Sequence, residues 1–305
     1  MFSGLLLYGK KDKTIETAIT TIIVMFSSLI FLYFNKDIFQ TPEIKSLVTS
    51  KYVSNELLAI FRSICAILSI FTLSWVVLDP KGSPDYPLYF LEKKNRKRHS
   101  SGLTRLAAFT MWHFGLFGIT FIILATISWI DISGKEVPDW ILVSAPILFA
   151  TTYSCAILVT SIVTFHMIDN EISKENNIDH LFYWYEIVMH NFNVILLAMA
   201  LVINNIEIDW RYFVFPIIFG IMYVGWARIY AHFAGVYIYN FLDPRLSGGP
   251  VLHLMLLGLI SISFTIIIIF KIIIKWNILM AILVILLFTS SIIRIRKPKI
   301  NIEKY

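Results

Sequence analysis

Six uncharged apolar runs of 18 residues or more dominate this chain and decide what it can fold into: residues 17–35, 106–130, 140–168, 187–206, 246–270 and 276–293. As helix, at about 1.5 Å per residue, each is long enough to cross a hydrocarbon core of about 30 Å. Two further runs, 57–78 and 212–242, have the same length and apolarity but carry one arginine each, Arg62 and Arg228. The sum predicts an all-α polytopic transmembrane helix bundle of about eight spans. No connection exceeds 27 residues, the length of 79–105. That leaves no room for a separate soluble domain, and residues 1–305 are expected to form a single membrane domain.

Composition agrees. With 57% hydrophobic and 15% charged residues and a mean hydropathy of +0.74, the natural solvent is the bilayer. The formal charge of +6 argues for anionic lipid beside the spans rather than for nucleic acid, because the basic residues cluster at span ends. Cys65 and Cys155 fall inside runs and have neither zinc nor disulfide spacing.

The connection 79–105 holds Lys81, Lys93, Lys94, Arg96, Lys97, Arg98 and Arg105 against three acids, which marks it cytoplasmic. Lys10, Lys11 and Lys13 near one terminus and Arg294, Arg296, Lys297, Lys299 and Lys304 near the other place both ends on that side. An even span count requires the same. The acidic loops around Lys135 and Asn205 then face outside or into a lumen. The connection 169–179, with four acids and only Lys174, goes against the trend, but acids weigh little in the orientation rule. The first run lacks a small-residue cleavage site and is expected to be retained. No Asn-x-Ser/Thr acceptor occurs, which fits an endomembrane such as the endoplasmic reticulum; the plasma membrane is the other expected location. No internal repeat of transporter kind is visible.

Polar residues at membrane depth are costly and therefore candidate sites. They are Arg62; Thr110 with His113; His190 with Asn191 and Asn193; and Arg228 with His232. Counted at about 1.5 Å per residue from the basic edge, Thr110 should lie about 12 Å deep, His232 about 16 Å and His190 about 18 Å, so the three can share a layer. Thr110 and His113 are three apart, on one helix face. A threonine hydroxyl needs a base to become a nucleophile, and imidazole suits that near neutral pH. Thr110 and His190 are therefore the candidate catalytic pair, with His113, Asn191, Asn193 and His232 as candidate substrate-binding groups. Asn191, Asn193 or His232 would serve a developing oxyanion.

The competing reading is structural: threonine bonds its own helix backbone, and His and Asn clamp neighbouring helices. Arg62 and Arg228 are expected to pair with an acid such as Glu186, to line a wet cavity, to snorkel, or to hold a substrate carboxylate. His113, His166, His180, His190, His232 and His253 have no metal-ligand spacing, and neither metal nor cofactor is expected.

Four segments in order carry a family resemblance. RLAAFTMWHFGLFGITF contains Thr110; DWILVSAPILFATTYSCAILVTSIVTFHMIDNE follows; YEIVMHNFNVILLAM contains His190; and GWARIYAHFAGVYIYNFLD aligns Trp226, His232, Gly235, Tyr239 and Phe241. Across residues 103–242 the chain resembles the androgen-induced protein and androgen-dependent TFPI-regulating protein family. Members are multispan hydrolases of fatty acid esters of hydroxy fatty acids that use an intramembrane Thr and His. The resemblance implies Thr110 as nucleophile, His190 as its histidine and a lipid substrate drawn from the bilayer. The chain departs from the family in having an additional span at each end, and in Glu186, which stands where Asn is common. Phe192 and Ile195 replace polar and proline positions. The alternative is a non-enzymatic membrane protein, either a transporter or an assembly subunit.

Overall fold

In a computed structural model that describes residues 2–85, 87–90, 92, 94–173 and 178–298, seven helices are long and apolar enough to span a membrane. They are α1 (Thr14–Phe34), α2 (Asn55–Leu78), α3 (Phe109–Ile132), α4 (Asp139–Ile172), α5 (Trp184–Ile203), α6 (Trp210–Ala234) and α7 (Gly249–Trp276). The eighth run becomes α8 (Ile278–Ile292), only 15 residues, or about 22 Å. The all-α polytopic bundle of about eight spans is thus built from seven helices of spanning length and an eighth, shorter apolar helix. Part of the run 276–293 is spent on the turn: Asn277 is extended, ends α7, and accepts a hydrogen bond from the Met280 amide to cap α8. Lys93, Lys174, Lys299 and Lys304 lie outside the described residues.

Short as it is, α8 returns the chain to the end from which α7 started. Arg294 N donates to Asn191 Oδ1 at 2.6 Å, and Lys297 pairs with Asp179 at 2.5 Å. The other terminus docks at the same end. Ser247 N donates to Leu7 O, Gly9 N donates to Arg245 O, and Tyr8 Oη donates to Asp243. Burial and the adjacent Asp243 carboxylate push the Tyr8 hydroxyl up to about 12, so it stays a donor. The described segments near both ends of the chain thus meet at the basic end. The opposite end is tied by Arg211 to Asp37 and Asp209, and by Lys275 to Glu207.

The helix α4 forms the centre. Its most apolar stretch is 78% buried, against 11% for α1 at the periphery, and α3, α5, α6, α7 and α8 all pack on it. Phe114, Phe117, Phe121, Phe149 and Tyr153 fill the seam beside it. The closest helix pair is α2 with α3. There Ser69 donates to Phe114 O at 2.7 Å, and a Cβ on Gly118 would stand 2.6 Å from Ser69 Oγ, so only glycine permits the approach.

The connection 79–105 carries the few strands: Ser83–Asp85 pairs antiparallel with Arg98–Ser100, and Leu88–Tyr89 with Lys94–Asn95. This fold covers the end of α6, bridging Tyr89 to Val236 and donating Phe90 N to Gly235 O. The helix α6 stops at Ala234 because Gly235 adopts a left-handed φ of 70°. The apolar run continues to 242 since Val236 and Leu242 are buried within the protein.

Candidate functional site

Two local features bring Thr110 and His190 together. Residues Gly102–Ala107 wind as a 3-10 helix and Ala108 is extended, so α3 starts at Phe109 and Thr110 lies in its first turn. His190 lies in a π-helical turn, Val188–Phe192, inside α5. The wider turn leaves the His190 carbonyl free to accept from Thr160 Oγ1 at 2.6 Å, which clamps α5 to α4 at this point.

The result is a short relay. His190 Nε2 lies 3.3 Å from Thr110 Oγ1. On the other side of the ring, Nδ1 lies 3.5 Å from Glu186 Oε2, one turn earlier in the span; this is ion-pair distance, without the alignment of a hydrogen bond. Glu186 is in turn within electrostatic reach of Arg105. Arg105 is itself fixed: it donates to Val76 O at 2.6 Å, at the open end of α2, and to Tyr185 Oη at 2.9 Å, with Asp79 at 3.8 Å. Thr110 and His190 are both about 95% buried, at 6% and 5% exposure.

Thr110 forms part of the wall of a narrow, mainly apolar crevice of about 70 Å³, bounded by α3, α4, α6, α7 and the 235–248 connection. Tyr239 shares that wall and holds its hydroxyl 3.5 Å from Thr110 Oγ1. A reacting carbonyl seated against Thr110 would thus meet a base on one side and a phenolic donor on the other.

The remaining expected site residues separate from this cluster. His113 is completely buried one turn along α3; its ring faces the Thr152 backbone without an aligned hydrogen bond, and it has no hydrogen-bond partner among the described residues. Asn191 spends its carbonyl on Arg294 N, and the Asn193 carbonyl accepts from Val194 N. His232 is exposed on α6 with its ring against Phe233. Among the described residues, none of Asn191, Asn193 and His232 hydrogen-bonds to Thr110, whose side-chain partners are His190 and Tyr239.

The expected pairing of Arg62 with an acid such as Glu186 is corrected. Arg62 sits toward the opposite end of the bundle and bonds only neutral oxygens, those of Leu47, Leu124, Ser128 and Asn204. Glu186 had a readable signal, being a carboxylate four residues before a histidine on one helix. Tyr239 had none as a neighbour of Thr110, since only the tertiary fold returns the 235–248 connection to α3. Among the described residues, no three His, Cys, Asp or Glu side chains gather as a metal site. Comparison with protein-family models, with curated proteins and with solved structures finds no match to this chain.

Proposed function

We propose that this multi-pass membrane protein hydrolyses lipid esters, with Thr110 as nucleophile, His190 as general base, Glu186 as the positioning residue behind the histidine and Tyr239 as oxyanion donor. The observation that carries this reading is the 3.3 Å approach of His190 Nε2 to Thr110 Oγ1 at the wall of an apolar crevice. In this reading the imidazole keeps its proton on Nδ1, facing Glu186, and presents the Nε2 lone pair to the hydroxyl.

The reaction follows from those positions. Nε2 takes the Thr110 proton while Oγ1 bonds to the ester carbonyl carbon, whose π electrons move to the oxygen facing Tyr239 Oη. Collapse of this intermediate breaks the bond to the alcohol oxygen, which leaves with the proton held on Nε2. An acyl group then remains on Thr110. Water gives a proton to Nε2 and attacks the acyl carbon, releasing the fatty acid and returning the proton to Thr110. The substrate class, fatty acid esters of hydroxy fatty acids or similar esters drawn from the bilayer, rests on the resemblance to the androgen-induced protein family.

The test is hydrolysis of a branched fatty ester by purified protein in lipid nanodiscs. Thr110→Ala and His190→Ala should each lower kcat/KM by at least about a hundredfold, and Tyr239→Phe by roughly tenfold. Activity unchanged in both Thr110→Ala and His190→Ala would sink the mechanism. Failure of a fluorophosphonate probe to label the native protein would favour the transporter or assembly-subunit reading.

A further inference from the structure

A second crevice, with about 400 Å³ open between α1, α6 and α7, lies across a shared wall from the first; Val224, Leu242 and His253 border both. Its size falls in the range of about 300–1,000 Å³ common for small-molecule sites. Most of its lining is apolar, including Ala18, Ile22 and Met25 from α1 and Ile221 from α6. Five polar side chains interrupt it. Thr21 donates to Thr17 O, His253 Nδ1 lies 3.0 Å from Gly249 O, and Tyr237 is within electrostatic reach of Arg228. The remaining two, Arg228 and Thr17, have no hydrogen-bond or ion-pair partner among the described residues.

The first is Arg228. It is exposed, forms no hydrogen bond or ion pair among the described residues, and lies six residues before the end of α6, about 9 Å along the helix. A guanidinium at that depth beside an apolar groove is costly without an anion. Its charged surroundings are mixed. Lys13 is committed to Ser247 O, and Arg245 to Asp243. Asp12 is within electrostatic reach of Arg228 but is occupied by the Thr14 amide, and its hydrogen bonds with Thr14 hold its carboxyl below the usual range.

The second is Thr17. Thr20 and Thr21 of the same helix donate to the carbonyls four residues back, Glu16 and Thr17, at 2.8 Å each, as threonines in membrane helices ordinarily do. Thr17 does not. Its hydroxyl is buried, at 4% exposure, in the lining of the crevice and has no partner among the described residues. A buried hydroxyl left unpaired costs free energy unless something bound in the crevice receives it.

We infer that this crevice binds a long-chain fatty acid, with its carboxylate on the Arg228 guanidinium and Thr17 hydroxyl and its alkyl chain along α1 and α6. A carboxylate fits better than a phosphate. The site offers a single uncommitted cation beside neutral hydroxyls, those of Thr17 and Tyr237, and the ionised Asp12 nearby penalises a second negative charge. The site stands independently of the chemistry at Thr110, although a fatty acid is also a product of the proposed hydrolysis.

The experiment is photolabelling of the full-length protein in zwitterionic nanodiscs with a diazirine- and alkyne-bearing palmitate, the labelled peptide being read by mass spectrometry. Labelling should fall on α1 and α6 and be competed by oleate. It should drop roughly tenfold in Arg228→Gln and about threefold in Thr17→Val, recover in Arg228→Lys, and persist in Thr110→Ala. Persistence in Thr110→Ala separates this site from the hydrolytic one. Labelling indifferent to Arg228→Gln, or equally strong with the matching fatty alcohol, would overturn the proposal. Equal competition by phosphatidate would overturn the carboxylate assignment in favour of a phospholipid headgroup. Arg228 is exposed, so its variants should keep the native elution volume in detergent.

Discussion

Two polar clusters sit inside this bundle, near opposite ends, and they are built in opposite ways. Around Arg62 everything is closed. The side chain is 0% exposed, and its two terminal nitrogens make four hydrogen bonds, to Ser128 Oγ and Leu47 O at 2.6 Å, to Asn204 Oδ1 at 2.7 Å and to Leu124 O at 3.2 Å. These bonds join α2, α3, the end of α5 and the short helix Ile44–Val48. Around Thr110 the contacts are long, 3.3 Å to His190 and 3.5 Å to Tyr239, and one side faces a crevice. Four bonds from one buried guanidinium to separate segments describe a clamp, although Arg62 Nε and Asn204 Nδ2 have no hydrogen-bond partner among the described residues. In the proposed reading, loose contacts with an opening leave room to tighten on a substrate, as catalytic hydrogen bonds commonly do.

The largest effect expected from this contrast is on stability. Arg62→Ala removes a fork that satisfies four oxygens from several segments and leaves them buried without donors. It should cost about 3–5 kcal/mol. Thr110→Ala should change stability by less than about 1 kcal/mol. Thermal unfolding in one detergent compares them directly. Arg62→Lys should not restore the loss, because an ammonium cannot reproduce the planar fork. Equal melting of the Arg62 and Thr110 alanine variants would break the comparison.

The next effect is on turnover. If Glu186 positions the His190 ring, Glu186→Gln should lower kcat of ester hydrolysis by roughly tenfold with KM little changed, and Glu186→Asp should recover part of it. A purely structural Glu186 would instead shift the melting temperature and leave the kcat of the surviving protein intact. Steady-state kinetics on folded material distinguishes the two.

Much of this architecture was legible because lipid leaves a chain few choices. The positions of the spans, the shared basic end for both termini and the candidacy of Thr110 and His190 all follow from apolar length and from the cost of polar side chains at depth. What composition could not show was where an apolar run stops being helix. Residues 236–242 read as the end of a span, yet Gly235 breaks α6 and the residues beyond it fold under the 79–105 hairpin. Asn277 likewise divides an apolar stretch into α7 and the shorter α8. Nor could composition show what the neighbouring asparagine carbonyls bond to. Asn191 and Asn193 are close to His190 in sequence, but the π turn and the C-terminal segment give their carbonyls other partners. Tyr239 reaches Thr110 only through the tertiary fold.

Asn191 gives the smallest and most discriminating measurement, because it neighbours His190 in the chain yet its carbonyl makes a bond that only fastens the fold. Its Oδ1 accepts from Arg294 N at 2.6 Å, fastening the segment that follows α8 to α5 at the basic end. A single partly buried hydrogen bond of this kind contributes about 1 kcal/mol. Asn191→Ala should therefore lower the unfolding free energy by about that amount, while hydrolysis changes less than about twofold. Protease exposure of the residues after Ile292 should rise in the same variant, since their anchor to α5 is lost. A loss of hydrolysis matching that of His190→Ala, with no change in stability, would move Asn191 into the site and erase its separation from the residues that only hold the fold together.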